Sequence, residues 1–168
     1  MKPIKLEIEG LHSFESNQII DFASLTSSGM FGIFGQTGSG KSTILDAMVL
    51  ALYGKVQRSK TNCDFINLKS KKAQVSFTFS FVEGGKNKEY KVTRIFKRRP
   101  KNPLEVEQTA EVLEVGAFGA RQIMEGVNRV DKFIIDFDNT KSIHDMMEKQ
   151  RIVRSLERDI LTSPDNIF

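Results

Sequence analysis

Residues 30–54 read MFGIFGQTGSGKSTILDAMVLALYG, and this stretch decides the fold. From Gly35 to Ser42 it satisfies the Walker A pattern Gly-x-x-x-x-Gly-Lys-Ser/Thr at every position. The glycines let the backbone close into a tight nest whose N–H groups point inward at phosphate oxygens. The helix that follows turns its positive dipole end and its first-turn amides toward the same anion. Lys41 sets an ammonium between the β- and γ-phosphates of a nucleoside triphosphate, and Ser42 offers its hydroxyl to Mg2+. The predicted binding residues are Gly35, Gln36, Thr37, Gly38, Ser39, Gly40, Lys41, Ser42 and Thr43. Lys41 is also the catalytic candidate, and Ser42 the metal ligand.

The flanks predict a buried strand over Met30–Phe34 and a helix beginning at Lys41. Ile44, Ala47, Met48 and Ala51 mark one side of that helix, while Leu45, Val49 and Leu52 mark another. A helix apolar on two sides is buried between layers, and Gly54 is its stop. Upstream, Ile4, Leu6 and Ile8 alternate with Lys5, Glu7 and Glu9, the period of a half-buried strand; Gln18–Phe22 predicts a second short one. Downstream, Val75, Phe77, Phe79 and Phe81 alternate with polar residues up to Gly84 and Gly85, and Tyr90, Val92 and Ile95 continue on a return strand. That is a hairpin. Residues 104–115 (LEVEQTAEVLEV) predict another strand, residues 141–161 have helical spacing, and Ser163-Pro164 opens a further helix. The expected fold class is mixed α/β of the P-loop NTPase type, with antiparallel strands beside a P-loop strand and a buried helix.

The chain has 168 residues, 39% hydrophobic and 27% charged, which is enough for one globular domain over 1–168. No apolar run reaches bilayer length, and MKPIKLEIEG lacks a secretion-signal core. With a single cysteine, Cys63, the expectation is a cytoplasmic protein with no membrane partner, and Cys63 itself is expected to be a small, partly buried apolar residue. The formal charge of +4 is unevenly spread: residues 1–104 hold 17 Lys/Arg against 8 Asp/Glu, and residues 105–168 hold 8 against 13. The excess is densest in NLKSKK (67–72) and KVTRIFKRRPK (91–101), which points to a polyanion partner or to a solvated hairpin rim.

A guanine-reading Asn-Lys-x-Asp is missing, since Asn87-Lys88 continues as Glu89-Tyr90. The order strand, strand, P-loop, buried helix, antiparallel hairpin suits an ABC-type ATPase head. IEGLHSFESNQIIDF followed by GMFGIFGQTGSGKSTILDAMVLALYGK resembles the N-terminal ATPase segment of SbcC-like double-strand-break-repair proteins, within the SMC-like ABC ATPases. VSFTFSF…YKVTRIFKR resembles that family's following hairpin, and SPDNIF the segment before its Q-loop. The resemblance implies an ATP- and Mg2+-binding half-head that pairs with the C-terminal half of the same ATPase. It also implies head-to-head homodimers on ATP, binding of double-stranded DNA, and an SbcD-type nuclease partner. His12 and Ser13 fall where the family's first loop approaches the nucleotide. No Q-loop glutamine follows Ile167-Phe168, and neither a signature motif nor a Walker B acid pair is found. The expectation is therefore an N-terminal piece that does not turn over ATP alone. The alternatives are a self-contained P-loop ATPase or kinase acting on a small substrate, and a DNA-binding module with a vestigial nucleotide site.

FIIDFDNTK (133–141) allows two other chemistries: a dehalogenase-type phosphatase with Asp136 as nucleophile and Asp138 as acid, or a Walker B strand ending at Asp136. Only 28 residues follow Thr140, too few for the phosphatase sheet, and Phe137 stands where Walker B needs glutamate. A surface strand or turn with solvated aspartates is expected there. His144 is expected at the surface.

Overall fold

The computed structural model describes residues 1–25, 32–56, 63–83, 86–102 and 104–138. Alternating side chains build one antiparallel sheet: β1 (Lys2–Glu9), β2 (Gln18–Asp21), β3 (Lys72–Glu83), β4 (Lys86–Arg98), β5 (Val106–Gly116) and β6 (Gly119–Glu125), in the order β2-β1-β3-β4-β5-β6. Register fixes which face is apolar. Leu6, Phe77, Val92 and Val112 pair in one row across four strands, and all four are fully buried. A one-residue slip of any strand would move its whole apolar set to the other face.

Two helices cover the apolar face. α2 (Lys41–Tyr53) packs on β1, β3 and β4, and α3 (Val127–Asp138) on β5, β6 and α2; a short turn of helix, α1 (Phe22–Leu25), drops Phe22 into the same core. α2 is buried on more than one side, as its two apolar stripes predict: Ala47, Met48, Leu50, Ala51 and Leu52 are core residues, and Thr43 and Asp46 are buried with them. It ends at Gly54, whose left-handed φ of 69° lets its N–H reach the Leu50 carbonyl at 2.9 Å. Cys63 is buried.

Three expectations need correction. The Met30–Phe34 strand is not formed where it is described: Gly32–Phe34 has no strand pairing, and Phe34 is 84% exposed. A buried parallel strand needs ladder partners on its flanks, and among the described residues every strand pairs only with its antiparallel neighbours. On β4 the inward positions are Tyr90, Val92, Arg94 and Phe96, with Ile95 half-buried on the outer face, because the strand keeps a strict period of two. Phe133–Asp138 is the end of α3, not a strand or turn. Val127, Val130, Phe133 and Ile134 recur at helical spacing and face the core, and Val130 N–H closes the first turn on Gly126 O at 3.0 Å. β6 has no counterpart among the elements expected from the sequence. The helix expected over 141–161, His144 and the start at Ser163 lie outside the described residues.

On the outer face, the Glu7 carboxylate accepts from Lys5 at 2.9 Å and Lys91 at 3.1 Å. Burial alone would raise its pKa, but the two lysine hydrogen bonds and charges outweigh that and hold it below the ordinary value. A carboxyl lowered by folding adds stability above its unfolded pKa, and that stability is lost as pH falls through the folded one. Glu7→Gln should therefore flatten the acid limb of a stability–pH profile. The change should be no more than about 1 kcal/mol, the scale of a solvent-accessible ion pair, and urea unfolding between pH 7 and pH 3 measures it.

Candidate nucleotide site

Residues 32–40 run into the first turn of α2, exposed except at the half-buried Ile33 and Gly40. Gly38 and Gly40 hold φ of 87° and 89°, values that glycine adopts without strain. Ser39 N–H donates to Gln36 O at 3.1 Å and closes the turn. Gly40 is the N-cap of α2 and supplies no side chain to cap it. Lys41 folds back over the loop: its Nζ donates to Gly35 O at 2.5 Å and to Gln36 O at 3.0 Å. The structure thus brings Gly35–Thr43 together as one turn, with Lys41 and Ser42 as the first two residues of α2 and Thr43 buried behind them.

Ser13 and His12 sit on a neighbouring corner. Leu11 and Phe14 exchange backbone hydrogen bonds at 3.0 and 2.8 Å around His12-Ser13, and His12 takes a φ of 47° to make the turn. The corner is anchored from outside: His12 N–H donates to Phe65 O at 2.8 Å, Asn67 N–H to Gly10 O at 2.8 Å, and Asn67 Nδ2 to His12 O at 2.5 Å. A Cβ built on Gly40 would lie 2.9 Å from the Phe14 ring and 3.5 Å from Ser13 Oγ. The first loop therefore touches the P-loop through Phe14 and Ser13. Nothing in the sequence distinguishes Phe14 from a core aromatic, so its place at the site comes from the structure alone. Gly40→Ala should cost about 1–2 kcal/mol from the left-handed backbone alone, plus displacement of the Phe14 ring. A fall in the thermal midpoint with weakened nucleotide binding checks this.

At the other end of α2 lies a residue that sequence reasoning missed. Arg94 pairs in register with Val75 and Ala110, and Val75 with Ile8, so it is a charge set in an otherwise apolar row. It is fully buried, and its Nε donates to Ala51 O at 2.8 Å while Nη2 donates to Leu52 O at 2.7 Å. Nη2 also meets Asp131 Oδ1 on α3 at 2.6 Å. Burial lowers the Arg94 pKa, and Asp131 works against that shift, so the guanidinium stays a cation. Gly54 leaves room for it, since a Cβ there would lie 2.8 Å from Arg94 Nη1 and 2.5 Å from Gln108 Nε2.

The basic runs divide. Arg94 and Arg98 turn inward, Arg98 Nη2 reaching Ile66 O at 3.1 Å. Lys69 and Lys72 face Glu15 and Glu9 at 3.4 and 3.3 Å, and Arg99 faces Glu105 at 3.0 Å. Lys71, Lys97 and Lys101 are exposed, and Lys72 pairs directly with Lys97 across the β3–β4 ladder. Asp136 is exposed on α3, so it ends no strand and fits neither the phosphatase nor the Walker B reading. No described helix is long and apolar enough to cross a membrane.

The chain matches the AAA_23 family, described as an AAA domain, over residues 5–165. It is 56% identical over 99 residues to the SbcC subunit of nuclease SbcCD from Bacillus subtilis, covering 58% of this chain and 9% of that protein. The same subunit from Clostridium acetobutylicum is 41% identical over 150 residues, covering 85% of this chain and 13% of the relative. A protein of Aquifex aeolicus named probable DNA double-strand break repair Rad50 ATPase is 35% identical over 105 residues, covering 61% and 10%. The chain thus spans 9% to 13% of the length of these relatives.

Proposed function

The chain belongs to the AAA_23 family of AAA domains, and from that premise we propose that it binds Mg–ATP through Gly35–Thr43 as the N-terminal part of an SbcC-like ATPase head acting in DNA double-strand-break repair. One observation carries the reading: a glycine turn leads into a helix whose N-terminus has no side-chain cap and whose first residue is Lys41. The residues suit a magnesium-bound triphosphate. Lys41 leaves the Gly35 and Gln36 carbonyls for phosphate oxygens, Ser42 holds the metal, and Ser13 approaches from the first loop. Bound magnesium would neutralise phosphate charge.

The names of the relatives, a nuclease subunit and a repair ATPase, support the wider role. In it, two heads close on ATP, the C-terminal half completes each site, and an SbcD-type nuclease is the partner. The 168-residue chain alone is expected to give no sustained ATP turnover. Duplex DNA binding would use exposed lysines such as Lys71, Lys97 and Lys101 against backbone phosphate. With three phosphates neutralised, the slope of log K against log salt should be about −3. Anisotropy titrations of a labelled duplex from about 50 to 200 mM salt test this, and a flat salt response would contradict the DNA role.

A further inference from the structure

We propose that Arg94 is a positioning residue for the phosphate-binding turn. It clamps the far end of α2 to α3, so that phosphate bound at Lys41–Thr43 is felt at Val127–Asp138. The proposal rests on the nucleotide-binding reading and goes beyond it. α2 has 13 residues and is a rod about 20 Å long. Its N-terminus is the phosphate turn, and its C-terminal carbonyls, Ala51 and Leu52, end on the Arg94 fork. A planar guanidinium with donors in fixed directions sets the axial position of the helix, which a flexible ammonium does not do.

The same Nη2 atom continues to Asp131, 37 residues further along the chain and on another element. The two ends of this link differ in freedom. Arg94 is wholly enclosed, whereas the Asp131 side chain is 39% exposed. A small shift of α2 on binding a triphosphate therefore has no slack at Arg94 and is passed to the carboxylate, the part that can move. α3 is held elsewhere by apolar contacts, with Val130 and Ile134 buried and Phe133 edge-on to Tyr90 at a centroid distance of 5.6 Å. Asp131 is thus a polar tie from α3 to the nucleotide helix. Gly54 closes α2 on Leu50 O alone, so the fork caps Ala51 O and Leu52 O, and the contact with Asp131 carries that cap across to α3, which capping alone does not require. A buried ion pair is in any case a weak source of net stability compared with apolar packing, so a role in geometry explains it better.

Hydrogen–deuterium exchange of the 168-residue chain, with and without Mg2+ and a non-hydrolysable ATP analogue, tests the link. The readout is the nucleotide-induced change, which a merely structural residue would not alter at a distant helix. In the wild type, exchange should slow several-fold both at residues 35–44 and at α3. In Asp131→Asn, whose side chain is solvent-accessible and whose fold should survive, protection at 35–44 should persist while the α3 response falls below about twofold. By reciprocity the variant's analogue affinity should change by about fivefold, the scale of an ordinary coupling. Arg94→Lys should give the same pattern. An α3 response in Asp131→Asn equal to the wild type, or none in the wild type despite protection at 35–44, overturns the link and leaves nucleotide binding standing. No protection at 35–44 in the wild type overturns the nucleotide reading and the link with it.

Discussion

Lys41→Ala should weaken Mg–ATP binding by about 100-fold with little change in stability. Hydrogen bonds from a charged donor contribute about 1.5–3 kcal/mol each. Lys41 would make such bonds to two phosphates while giving up its present bonds to Gly35 O and Gln36 O. A net loss of about 3 kcal/mol corresponds to two decades in affinity. The two carbonyls are exposed and can be taken over by water, so the fold itself should lose less than about 1 kcal/mol. Calorimetric titration gives the affinity and thermal unfolding the stability. An affinity within about threefold of the wild type would place the phosphates elsewhere.

Arg94→Met should destabilise the chain by about 2–4 kcal/mol, because two buried carbonyls are left without a donor at about 1–3 kcal/mol each. Methionine fills much of the same volume, so the cost is chiefly electrostatic. The Ala51 and Leu52 carbonyls lose their donor at the negative end of α2, and Asp131 loses its cation. For a domain of this size the thermal midpoint should fall by roughly 4–16 °C. A denaturant midpoint equal to the wild type's would mean that the fork is dispensable to the fold. Asp131→Asn should cost less, because its side chain already meets water.

The glycine turn into α2 was legible because its geometry is local: glycines at fixed spacing shape the backbone just ahead of a helix that begins at Lys41. The β3–β4 hairpin was legible because the run from Val75 to Phe81 alternates without a break. What escaped was set by partners distant in sequence. Arg94 sits in an apolar row whose other members, Ile8, Val75 and Ala110, come from three other strands, so only register reveals that it is buried. A lone arginine between inward-facing Val92 and Phe96 was nonetheless a signal. The run Phe133-Ile134-Ile135 misled because it favours strand locally, whereas Val127, Val130 and Ile134 carry the helical period that tertiary packing rewards; Ile135 is left 53% exposed on α3. The basic runs left a polyanion surface and a solvated rim both open, and the fold turns Arg94 and Arg98 inward and pairs Lys69, Lys72 and Arg99 with carboxylates. Met30–Phe34 carried a strand pattern without a strand partner among the described residues.

Titration calorimetry of the wild-type 168-residue chain with a non-hydrolysable ATP analogue, with and without Mg2+, tests the central claim most directly. Saturable binding at one site per chain, tighter with Mg2+ and lost in Lys41→Ala, is the result predicted by a phosphate turn at Gly35–Thr43. Absence of binding by the folded wild-type chain, or binding indifferent to both the metal and Lys41, would contradict it.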